Sequence, residues 1–115
     1  MVETTGYIPA PGDFVWVSFS PQAGHEQRGR RPGLVVSRSS FNKKTGFAWV
    51  CPITNEKKGY AFEVDVPTGS VTGVILADQV RSLDYRARHF ELIETAPSAI
   101  LKRVVQLAKV ILASS

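Results

Sequence analysis

Apolar positions fall first in short aromatic and β-branched runs, and only at the end of the chain in a helical stripe. Asp13-Phe-Val-Trp-Val-Ser-Phe19 holds no breaker and predicts a first strand, entered through the turn Pro9-Ala-Pro-Gly12. Ser20–Pro32 carries two Pro and two Gly without periodicity and reads as a loop. Gly33–Ser37 predicts a second strand, polar and basic Ser39–Gly46 a second loop, and Phe47–Ile53 a third strand. Asn55–Gly59 is a turn. Tyr60–Val66 alternates large apolar with smaller or charged residues, as a half-buried strand does. Pro67–Gly73 turns again, Val74–Ala77 is a short strand, Val80–Asp84 is a candidate for another, and His89–Ile93 reads as strand or short helical turn.

After Pro97 the period changes. Ile100, Val104, Leu107 and Ile111 form one stripe, flanked by Leu101, Val105, Ala108 and Leu112, with Lys102, Arg103, Gln106 and Lys109 opposite. That spacing predicts an amphipathic helix over Ser98–Ala113, with Pro97 near its first turn. The expected architecture is mainly β (α+β): five to seven short, mostly antiparallel strands and one C-terminal helix. A single helix would cover one sheet face and leave the other partly bare, the place for a dimer partner or a ligand.

A chain of 115 residues suits one domain, taken as residues 1–115, with one core. No apolar run approaches the roughly 20 residues that span a bilayer, and Met1–Pro11 lacks the charged-then-apolar pattern of a signal peptide. The expectation is a cytoplasmic protein without a membrane partner. Cys51, the one cysteine, sits in apolar Trp49–Ile53 and reads as a small core residue rather than a nucleophile. Trp16 and Trp49 fall inside strands and are expected in the core.

The net charge is +4, but its distribution says more. Residues 24–58 hold eight bases (Arg28, Arg30, Arg31, Arg38, Lys43, Lys44, Lys57, Lys58) against Glu26 and Glu56, a block of +6; the remainder is −2. Such a block fits a polyanionic partner or a solvated face equally well.

The sequence has no P-loop, no glycine-rich dinucleotide fingerprint and no nucleophile elbow. One Cys and two His 64 positions apart make no zinc spacing, so neither metal nor cofactor is expected. Gly24-His-Glu-Gln-Arg-Gly-Arg-Arg-Pro32 stands out instead, with three Arg, whose planar donors match phosphate oxygens, on a loop between strands.

These residues resemble the MazF/PemK toxin family. The likeness runs from Gly12-Asp-Phe-Val-Trp-Val through Glu26-Gln-x-Gly-Arg-Arg-Pro32 and Leu34-Val-Val-Ser37. It continues in Asn42-Lys-Lys-Thr-Gly46, Pro52-Ile-Thr-Asn55, Lys58-Gly-Tyr-Ala-Phe-Glu-Val64 and Gly73-Val-Ile-Leu-Ala-Asp-Gln-Val-Arg-Ser82. It implies a compact SH3-like, CcdB-like antiparallel β-barrel with a C-terminal α-helix. The implied activity is a sequence-specific, metal-independent endoribonuclease toxin. It would cut single-stranded mRNA to a 2′,3′-cyclic phosphate and a 5′-hydroxyl. Implied partners are a second copy in a homodimer, a cognate antitoxin with an acidic disordered tail, and operator DNA reached only through the toxin–antitoxin complex.

The resemblance also implies roles. Arg31 matches the family's catalytic arginine and would stabilise transition-state charge; its high solution pKa weighs against proton donation. Thr54 matches the catalytic threonine. Glu26 would be the general base, or would orient Arg31 or bond a base. Arg28, Arg30, Phe41, Asn42, Lys57, Lys58, Asp78 and Gln79 are the expected RNA contacts, with Phe41 the stacking candidate. One branch of the family carries an Arg where this chain has Leu76, which favours an Arg31–Thr54 scheme over one centred on Asp78. Plainer readings stand beside these. Arg31 could pair with Glu26, Thr54 could end a strand, Arg28, Lys57 and Lys58 could be solvated, and His25 and His89 read as loop and structural residues. A non-catalytic nucleic-acid-binding module and a gyrase-targeting toxin on the same fold are the alternative functions; the latter act through a C-terminal Trp, where this chain ends Ala113-Ser-Ser115.

Overall fold

A computed structural model describes residues 6–19, 29–66 and 69–113. Among them run β1 (Asp13–Ser18), β2 (Arg30–Val35), α1 (Ser39–Thr45), β3 (Phe47–Thr54), β4 (Glu63–Val66), β5 (Gly73–Leu76), β6 (Arg81–Asp84), β7 (Glu91–Thr95) and α2 (Ser98–Ala113). The strands pair antiparallel in the order β4-β5-β3-β2-β1-β7, with β6 also on β3. β3 is eight residues long and hands its partners over along its length: β6 at its start, β2 in its middle, β5 at its end. The result is a curled antiparallel half-barrel, with β4 and β7 at its two ends and a C-terminal helix packed on it.

Strand alternation sorts side chains to two faces. Phe14, Leu34, Cys51, Ile53 and Ile75 meet Ile100, Val104 and Leu107 of α2. Val15, Val17, Val35 and Val50 face the other way, toward Leu83 and Tyr85, with Tyr7, Phe19 and Phe90 closing over them. The second face is therefore not bare as expected: β6 and the turn after it fold across it. The bare apolar surface lies elsewhere, at the end of α2, where Ile111 and Leu112 are exposed and border a cavity of about 310 Å³ with Trp49, Val80 and Val104. Trp16 and Trp49 are exposed by 39% and 43%, which corrects their assignment to the core. Both share the α2-facing side of the sheet by alternation; Trp49 borders the cavity beside α2, and Trp16 lies against the Arg30 guanidinium.

Three boundaries also move. β2 begins at Arg30 rather than Gly33. Pro32 is tolerated in the strand because the ladder to β3 begins only at Gly33. The strand expected from Tyr60 begins at Glu63, after a turn in which the Glu63 N–H donates to the Tyr60 carbonyl. Ser39–Gly46 is not a loop but mostly helix, α1, ended by Gly46 at φ 79°. This two-turn helix has no apolar stripe to betray it. Asn42 holds it instead, fully buried, its Nδ2 donating to the Pro9 carbonyl at 2.8 Å and its Oδ1 accepting from Ser37 Oγ at 2.6 Å. The Tyr85 hydroxyl donates to the Asn42 carbonyl at 3.1 Å.

Candidate functional site

Where β2 and β3 run past their shared ladder, Gly33 pairs with Pro52, Leu34 with Cys51 and Val35 with Val50. Continuing this register by two residues brings Arg31 level with Thr54. Both line one polar cavity of about 450 Å³, completed by Arg30, Pro32, Ile53, Asn55, Glu56 and Thr72. Close approach of the two strands depends on Gly33, since a Cβ there would lie 2.5 Å from Val50 Cγ1.

Thr54 is fixed from two directions. The Glu56 N–H donates to its Oγ1 at 3.1 Å. That occupies an acceptor site and leaves the hydroxyl proton free to be donated into the cavity. From β5, Gly73 presses against its backbone: at φ 117°, a Cβ on Gly73 would fall 2.3 Å from the Thr54 carbonyl oxygen. The Thr72 hydroxyl adds a bond to Asn55 Oδ1 at 3.2 Å. The threonine thus stands as a hydrogen-bond donor on a rigid strand end.

The arginines differ. Arg31 is exposed at the cavity. Arg30 is mostly covered, its guanidinium 2.5 Å from Glu91 Oε1 and 5.7 Å from the centre of the Trp16 ring. Its charge is thereby partly answered within the protein. Arg88 donates to the Ser18 and Phe19 carbonyls, at 3.3 and 2.8 Å, and so pins the point where β1 gives way to the basic segment. Glu26, Arg28 and His25 lie in that segment, outside the described residues.

The remaining expected RNA contacts scatter. Lys57 is exposed and pairs with Asp65 at 3.1 Å. Lys58 is exposed in a turn folded by Glu63, whose carboxylate accepts from the Lys58 and Gly59 N–H groups at 2.9 Å each. Phe41 sits on α1, exposed by 39% and edge-to-face with Trp49 at 5.9 Å, rather than on a loop. Asn42 is the clear correction: at 0% exposure, with its amide committed to Pro9 and Ser37, it cannot touch a ligand. Asp78 and Gln79 are exposed beyond β5, and Asp78 lines the α2 cavity, not the one holding Arg31 and Thr54. Cys51 borders that same α2 cavity; burial, helped by the charge of Asp78, pushes its thiol up to about 12, which suits a core residue and not a nucleophile. His89 is an exposed turn residue at φ 56°.

Asn55, Glu56, Thr72 and Gly73 enter the site without having been singled out by sequence. In sequence the Asn55–Gly59 segment reads as a turn that offers RNA only Lys57 and Lys58, although Glu56 is one of only two acids in the basic block. Among the described residues no three His, Cys, Asp or Glu side chains gather as a metal would require, and no helix is long and apolar enough to cross a membrane.

The chain is similar to known proteins over nearly all of this architecture. The sequence model of the PemK-like, MazF-like toxins of type II toxin–antitoxin systems matches residues 10–112. The endoribonuclease toxin MazF of Escherichia coli K12 is 48% identical over 82 residues, 71% of this chain and 74% of that one. MazF from Deinococcus radiodurans superposes with a TM-score of 0.83 at 47% identity, covering 94% of this chain and 99% of that one. A MazE–MazF complex from the same organism gives 0.85 at 43% identity, covering 95% and 100%.

Proposed function

The chain belongs to the PemK-like, MazF-like toxin family of type II toxin–antitoxin systems, and from that premise we propose that it is an endoribonuclease toxin cutting single-stranded RNA without a metal ion. One observation carries the reading: Arg31 and Thr54, from neighbouring strands, line the same polar cavity.

RNA supplies its own nucleophile. The 2′-oxygen forms a bond to phosphorus as the bond from phosphorus to the 5′-oxygen breaks, leaving a 2′,3′-cyclic phosphate and a 5′-hydroxyl. Negative charge gathers on the two remaining phosphoryl oxygens as the phosphorane forms. Arg31 offers paired N–H donors and a fixed positive charge to those oxygens. The Thr54 hydroxyl, its acceptor side taken by the Glu56 N–H, donates to the same group and orients it. Positioned donors of this kind need no reorganisation at the moment of reaction. The proton leaving the 2′-hydroxyl goes to a general base, for which Glu26 is the candidate, and the departing 5′-oxygen takes up a proton from water to become the 5′-hydroxyl.

The related MazF crystallised with MazE supports a cognate antitoxin, whose acidic tail would lie along the basic block and close the cavity. Operator DNA is then reached only as the toxin–antitoxin complex. The exposed apolar rim of Trp49, Val80, Ile111 and Leu112 supports a homodimer, and sedimentation at micromolar concentration tests it. We take the chain as one toxin domain acting in the cytoplasm.

The decisive experiment is incubation of the purified protein with long RNA in EDTA. Cutting by the wild-type chain, and none by a folded Arg31→Ala variant, is expected. Intact RNA across varied sequences sinks the proposal.

A further inference from the structure

The cavity that holds Arg31 and Thr54 also holds a carboxylate, Glu56. Its position is not accidental to the site, because its own N–H is bonded to Thr54 Oγ1. Among the described residues no ion pair ties its carboxylate down. A carboxylate beside a bound phosphodiester repels it, so in an RNA site it needs a different partner. Ionised, it accepts hydrogen bonds and donates none. Single-stranded RNA offers it donors in two places, the ribose 2′-hydroxyls and the unpaired Watson–Crick edges of the bases, and only the edges differ from one nucleotide to the next.

The four edges are not equal toward such a group. Guanine presents N1–H and N2–H side by side, two donors matched to two carboxylate oxygens. Uracil places its N3–H between two carbonyl oxygens, which the carboxylate repels. Adenine and cytosine each set an amino group beside an acceptor nitrogen. Position limits which base is read: Thr54 and Glu56 are two residues apart, a span of at most about 7 Å. The reach of Glu56 is therefore to a nucleotide flanking the phosphate held at Thr54.

We propose that Glu56 is a specificity-determining residue that selects guanine at a position flanking the scissile phosphate. The proposal rests on the endoribonuclease reading above and adds the base it prefers. A glutamine at the same place offers one donor and one acceptor, the pattern that suits adenine.

The test begins with mapping the cut sites of the wild-type chain on a long RNA. Matched oligonucleotides, differing only in the flanking base, then give kcat/KM for the wild type, Glu56→Gln and Glu56→Ala. Guanine is expected to be enriched at one flanking position for the wild type. The guanine-to-adenine ratio of kcat/KM is expected to fall by roughly five- to hundredfold in Glu56→Gln, and in Glu56→Ala to approach equality. Wild-type cutting with no guanine preference at either flank overturns the proposal and leaves the nuclease reading standing. A uniform loss of rate in Glu56→Gln, with base preferences unchanged, overturns it too and assigns the carboxylate to proton transfer. RNA left intact by the wild type removes the nuclease reading, and this proposal with it.

Discussion

Asn42→Ala tests the difference between a residue that touches substrate and one that holds the frame. The Asn42 side chain makes three hydrogen bonds: to the Pro9 carbonyl at 2.8 Å, to the Ser37 carbonyl at 3.3 Å, and from Ser37 Oγ at 2.6 Å. Each buried bond contributes about 1 kcal/mol net, and a buried acceptor stripped of its donor costs about 1–3 kcal/mol. Pro9 is itself fully buried, so its carbonyl has no water to turn to. The two Ser37 bonds at about 1 kcal/mol each, with about 1–3 kcal/mol for the stripped Pro9 carbonyl, give a loss of about 3–5 kcal/mol, a large part of the roughly 5–15 kcal/mol that keeps a domain folded. It falls on α1, which at seven residues is too short to persist without tertiary contacts.

Urea denaturation followed by circular dichroism measures the loss directly. At about 4 °C per kcal/mol for a domain of this size, the melting temperature should fall by about 12–20 °C. Asn42→Asp should be worse at neutral pH, because an acceptor then faces the Pro9 carbonyl. A loss under about 1 kcal/mol in Asn42→Ala, combined with weakened RNA cutting by a fully folded variant, would refute the reasoning. It would return Asn42 to the list of substrate contacts.

Thr54→Val removes the hydroxyl at nearly constant volume and should lower kcat by about 10²–10³-fold, the usual cost of a lost transition-state donor, while Thr54→Ser keeps most activity; equal kinetics for both variants would show that the hydroxyl is not used. Gly73→Ala places a side chain at φ 117° with its Cβ against the Thr54 carbonyl. It should destabilise by about 2–4 kcal/mol and depress cleavage even at temperatures where circular dichroism shows the fold intact; unchanged activity would mean Thr54 does not depend on that contact. Cys51, raised from 9.0 to about 12, should have a thiolate fraction of only about one in ten thousand at pH 8, so iodoacetamide should label it only as the protein unfolds. Since the folded value lies above the unfolded one, its contribution to stability is complete below pH 9 and is lost as pH rises from 9 toward 12. Rapid native-state labelling at pH 8 would contradict this.

What was legible in the sequence follows from what its signals depend on. α2 was readable to both ends because its apolar stripe repeats over sixteen residues. The strands were readable as runs, but their ends were not: β2 gains Arg30 and Arg31 from its pairing with Ser18 and Val17 of β1, a tertiary fact that Pro32 disguised. α1 was invisible because its anchor is one polar side chain, and a buried Asn looks like a surface Asn until its partners, Pro9 and Ser37, are known. The second core was missed for a related reason. Leu83, Tyr85 and Phe90 come from short, ambiguous segments, and only the pairing of β6 with β3 brings them over Val15 and Val17. For the site, motif likeness pointed to Arg31 and Thr54, and the register of β2 against β3 explains why residues 23 positions apart line one cavity. The neighbours that tune them, Glu56 through its N–H and Gly73 through its bare Cα, act by backbone contact. A side chain's chemistry can be read from its letter, whereas a backbone contact can be read only from the fold, and those two residues are where any difference in behaviour from other members of the family should be sought first.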